Sequence, residues 1–67
     1  MKSDEKRNSR IMMLHQRALK GKYTADGKFS MTQLINDAKV IGVSMKTAED
    51  YAEAVVGRLV KGGHLNV

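Results

Sequence analysis

There is no cysteine among these 67 residues, so neither a disulfide framework nor a thiolate metal site can staple the fold. The core must hold the chain together, or a partner must help. No apolar run approaches the roughly 18 residues of a membrane span, and no apolar segment follows the charged start MKSDEKRNSR as it would in a signal peptide. These absences predict a soluble, cytoplasmic protein with no membrane partner. Internal repeats and low-complexity segments are missing too. At this length the chain is one domain, residues 1–67, and buries only about 60% of the surface its unfolded form exposes.

What is present in excess is positive charge, and it is unevenly placed. The formal charge is +5, yet residues 1–43 carry nine Lys or Arg against four acids, while residues 44–67 carry three against three. The whole excess lies in the first two thirds. Clustered positive charge attracts phosphates by releasing their condensed counterions, although it can also serve solubility alone.

Helical periodicity appears in three segments. From Arg7 to Lys20, Ile11, Leu14, His15 and Ala18 form an apolar face, and Lys6, Arg10, Arg17 and Lys20 form a basic one beside it. Residues 1–6 read as a flexible tail, Ser3 or Asn8 as the cap, and Gly21 as the stop. In KYTADGKFS the pair Asp26-Gly27 is a turn signal between Tyr23 and Phe29, which predicts a small hairpin or an irregular loop.

Ser30 then precedes a second helix, Met31 to about Ile41, with Gln33 as its capping-box partner and Met31, Leu34, Ile35 and Ala38 as its stripe. Gly42 ends it and Ser44 caps a third, Met45 to about Lys61, whose core face is Ala48, Tyr51, Ala52, Val55 and Leu59. Gly62-Gly63 stops that helix. The tail from His64 to Val67 alternates enough for one strand, paired near Phe29.

The stretch AKVIGVSMKTAEDY, Ala38 to Tyr51, supplies everything a tight turn between two helices needs. It resembles the helix-turn-helix pattern A-x-x-x-G-V-S-x-x-T-[AV]-x-x-[apolar], matched at Ala38, Gly42, Val43, Ser44, Thr47, Ala48 and Tyr51. With VVGRLVKGGHL behind it, the chain is similar from about Ser30 to Leu65 to the winged-helix DNA-binding domains of small prokaryotic, archaeal or viral regulators. Two departures stand out: Asp37 occupies a position where the pattern is apolar, and the chain given stops at Val67, which leaves the wing truncated.

The resemblance implies a mainly α fold: a three-helix, winged-helix-like domain with a minimal β-hairpin or sheet. It implies a DNA-binding transcriptional regulator or architectural protein, acting on double-stranded DNA as a homodimer, with Met12 and Met13 offered as a seam. Lys6, Arg7, Arg10, Arg17 and Lys39 would hold phosphates, with Ser44 and Thr47 at the start of the third helix. Met45, Lys46, Thr47, Glu49 and Asp50 would face the groove. The acids Glu49, Asp50 and Glu53 weigh against tight non-specific binding, so a protein partner docked on the same fold is the alternative.

A third reading, from Lys22 to Gln33, is a degenerate EF-hand-like loop; with Lys22 and Gln33 at its first and last places it could not hold calcium. No enzyme, cofactor or metal site is predicted. His15 reads as a core-edge histidine, His64 has no ligand at useful spacing, and Ser44 has no activating base.

Overall fold

The first helix, α1, spans Lys2–Leu19. The computed structural model describes residues 2–65, with side chains from residue 4. The helix starts earlier than the Arg7 expected, and residues 2–6 continue it rather than trail from it. Asp4 and Glu5 in its first turn face the positive end of the helix dipole, and Arg17 in its last turn faces the negative end. Ser3 and Asn8 therefore lie inside the helix, and neither caps it. At the other end Lys22 N–H donates to the Arg17 carbonyl at 3.2 Å and Gly21 N–H to that of Ala18 at 3.0 Å. This crossed pair satisfies carbonyls that the helix leaves open.

Next come β1, Thr24–Ala25, and β2, Lys28–Phe29, antiparallel with Thr24 opposite Phe29. Asp26 (φ 54°) and Gly27 (φ 76°) both take positive φ, the backbone of a type I′ turn, which matches the twist of the strands it joins. The segment is thus a hairpin rather than an irregular loop. Tyr23, just before it, is buried.

Ser30 closes the hairpin and opens α2, Met31–Val40. Its Oγ accepts from Gln33 N–H at 3.3 Å, while its own N–H donates to the Tyr23 carbonyl at 2.7 Å. Only half of the expected capping box forms, because the hairpin has already taken the donor that Gln33 would have reached.

Between α2 and α3, Met45–Lys61, Gly42 takes φ 98°, which a side chain would strain, and Ser44 is extended. Ser44 Oγ accepts from Thr47 N–H at 3.2 Å, and its hydroxyl donates to Thr47 Oγ1 at 3.0 Å. The far end of α3 repeats the ending of α1. Gly63 (φ 79°) donates to Val60 at 3.1 Å, and His64 donates to Leu59 at 2.8 Å.

This ending overturns the expected C-terminal strand within the described residues. The N–H groups of His64 and Leu65 both turn back onto the Leu59 carbonyl, so neither is offered to the hairpin. Asn66 and Val67 lie outside the described residues. The sheet among those residues has two strands, both before α2.

The core gathers Ile11 and Leu14 from α1, Tyr23, Leu34 and Ala38 from α2, and Ala48, Tyr51, Ala52, Val55 and Leu59 from α3. Ala38, Ala48 and Ala52 have no exposed surface, and their small size lets α2 and α3 lie close. All five residues of the expected α3 face are buried. His15 is only half-buried, with Nδ1 covered and without a partner. The protein is mainly helical, with one small antiparallel sheet.

Candidate nucleic-acid interface

The turn and the first two turns of α3 are built from short-range capping, which fixes where the helix starts and which side chains stand outward. Ala48, Tyr51 and Ala52 point inward, so the hundred-degree step per residue turns Lys46, Asp50 and Glu53 away from the core. Lys46, Glu49, Asp50 and Glu53 are all exposed. Met45 is 46% exposed and, across the turn, Val40 is 83% exposed. Thr47 is half-buried, and its oxygen and N–H are both engaged by Ser44. The N–H groups of Met45 and Lys46 precede the helix's own bonding pattern.

Two residues expected at the interface are brought together by the fold. Arg7 of α1 donates to both oxygens of Asp50, Nε to Oδ2 at 3.0 Å and Nη2 to Oδ1 at 3.3 Å. The pair is open to solvent, with Asp50 52% exposed. The hydrogen bond and then the charge of Asp50 push the Arg7 guanidinium further toward its charged form. One turn on, Arg10 Nη1 donates to the Tyr51 hydroxyl at 3.3 Å.

Arg17, the third arginine of α1, is bound elsewhere. Its Nη1 donates to Asp37 Oδ2 at 2.8 Å, and the hydroxyl of Tyr23 donates to the same oxygen. Asp37 is the residue that departs from the apolar pattern; it ties α1, the hairpin entrance and α2 at one point. Burial alone pushes its carboxyl up. The hydrogen bonds from Tyr23 and Arg17, with the charges of Arg17 and Lys22, outweigh burial and hold it below the usual carboxylate range. Burial first, then the bond to Asp37 and its charge, push the Tyr23 phenol up. Arg17, Lys22, Tyr23, Gln33, Asn36 and Asp37 line an open cleft of about 320 Å³.

Of the expected phosphate contacts, Arg7, Arg10 and Arg17 therefore have partners inside the free protein. Lys6 and Lys39 are exposed, and like Lys46 they make no ion pair among the described residues. Met12 and Met13 part company: Met12 is exposed and its Sδ accepts from Arg58 Nη1 at 3.8 Å, while Met13 is half-buried. Among the described residues no three His, Cys, Asp or Glu side chains gather as a metal site requires, and no helix is long and apolar enough to cross a membrane. No protein-family model, no curated protein and no solved structure matches this chain.

Sequence reasoning missed both arginine–carboxylate ties. Their partners lie 43 and 20 residues apart, beyond the reach of any periodicity. The one signal for the second was Asp37 itself, an acid where the pattern called for an apolar residue.

Proposed function

We propose that this is a DNA-binding regulator in which α2 and α3 form a helix-turn-helix and α3 enters the major groove. The observation that carries the reading is the joint between the two helices. Gly42 at φ 98° and the Ser44 cap set the turn, and Ala38, Ala48 and Tyr51 close the contact behind it. The start of α3 is left outward with Lys46 unpaired among the described residues. Double-stranded DNA is the ligand this geometry fits: a major groove admits one helix, read from its N-terminal residues. Lys6, Lys39 and Lys46 supply attraction from the free protein, while Arg7 stays on Asp50 and offsets its charge. A homodimer reading two half-sites would double these few contacts.

The test is a titration of isotope-labelled protein with a short mixed-sequence duplex at low and moderate salt, followed by backbone amide shifts. Ser44 to Asp50 and the N-terminal half of α1 are expected to move together, and the effect is expected to fade as salt rises. Amides that stay still in a folded protein would remove the DNA reading.

A docking module for another protein is the second reading. Val40 and Met45, both exposed, flank the turn beside an α3 surface whose three acids cancel its three basic residues.

A further inference from the structure

The DNA reading has to accommodate Glu49, Asp50 and Glu53 on α3, and the structure separates them. Asp50 is already held by two bonds from Arg7, so its charge is neutralised where α1 crosses α3. Glu53 stands one turn further from the turn. Glu49 lies one turn into the helix, exposed, three residues after Lys46, and neither forms an ion pair among the described residues. Residues at this spacing are neighbours on a helix surface, about 5–6 Å apart at Cβ. The reading surface therefore presents one free cation and one free anion side by side.

A carboxylate between two phosphate strands is repelled unless it meets a donor. The major groove offers only two kinds, the amino groups of adenine N6 and cytosine N4. Adenine sets its N7 acceptor beside N6, which repels a second carboxylate oxygen. Cytosine presents N4 alone, and the guanine paired with it presents O6 and N7, both acceptors suited to an ammonium.

We infer that Glu49 selects cytosine by accepting from its N4 amino group, with Lys46 on a neighbouring guanine. This makes the ligand a duplex with a G·C pair under the start of α3. The inference rests on the DNA reading and names the base that reading leaves open. Asp50 takes no part in it while Arg7 holds its carboxylate.

The experiment is selection from a duplex library with a randomised centre, run with the native protein and with Glu49→Gln, circular dichroism first showing both to be folded. The native protein is expected to enrich cytosine at one fixed position. Glu49→Gln is expected to move that position toward adenine, since an amide can bond N6 and N7 together, and to change the ratio of affinities for the two duplexes tenfold or more. If both proteins enrich the same base, or the native protein binds without favouring cytosine anywhere, the assignment of Glu49 fails and DNA binding stands. If neither protein retains duplex at low salt, the DNA reading fails and this one with it.

Discussion

Two arginines of α1 each meet an aspartate, ten residues apart along the helix or about 15 Å at 1.5 Å per residue, and the two pairs differ in kind. Arg7 meets Asp50 in the open, and among the described residues no third side chain hydrogen-bonds to either. Arg17 meets an Asp37 only 27% exposed, which also carries the hydroxyl of a buried tyrosine. An exposed pair is weak because water and salt serve each ion almost as well. A partly covered carboxylate that accepts from an arginine and from the hydroxyl of a buried tyrosine is different: removing it takes a bond from both at once. The first pair can exchange partners, and the second is part of the fold.

The strongest way to break this contrast is Asp37→Ala. It removes the acceptor shared by Tyr23 and Arg17 and is expected to cost about 1–3 kcal/mol of stability, a sizeable share of what a domain this small holds. Asp50→Ala is expected to leave the urea midpoint unmoved. Chemical denaturation of the two variants measures both, and equal losses would mean that the pairs are alike.

The next effect is on binding. Asp50→Asn frees Arg7, so affinity for a random duplex is expected to rise and the slope of log K against log salt to steepen by about one phosphate. Arg7→Gln should move both the other way. Arg17→Gln, corrected for any lost stability, should leave the slope unchanged. Fluorescence anisotropy over a salt series distinguishes the three.

How much of this was readable beforehand depended on distance along the chain. The span of α3, the Ser44 and Ser30 caps and the Asp26-Gly27 turn all follow from chemistry within four residues, and each appears where the sequence places it. The capping box at Ser30 was half lost because Tyr23, seven residues earlier, supplied a competing acceptor. The basic face of α1 was visible, but its pairing was not, since an ion pair between helices leaves no periodic trace. Asp37 was the informative misfit.

Smaller effects come from pH. Asp37 is held low in the folded state, so its contribution is present above the unfolded value near pH 4 and is lost as pH falls through the folded one. Tyr23 is held high, so its contribution is intact below about pH 10 and is lost as pH rises from there. Thermal midpoints are expected to fall at both extremes, and Asp37→Asn should flatten the acid side. The smallest effect belongs to His15, whose covered Nδ1 has no partner. His15→Leu trades that atom for apolar contact and is expected to raise the midpoint by a degree or two, from well under about 1 kcal/mol.

Ser30 has a consequence for what the chain will tolerate. The same residue ends the sheet through its N–H and starts α2 through its Oγ, so the two elements meet with no slack between them. Extra residues spliced beside Ser30 would have to undo both at once. Spliced between Asp26 and Gly27, where every neighbour faces water, they would only lengthen a tip. That tip is where this small protein can carry a graft, a label or a tether without its helices registering the load.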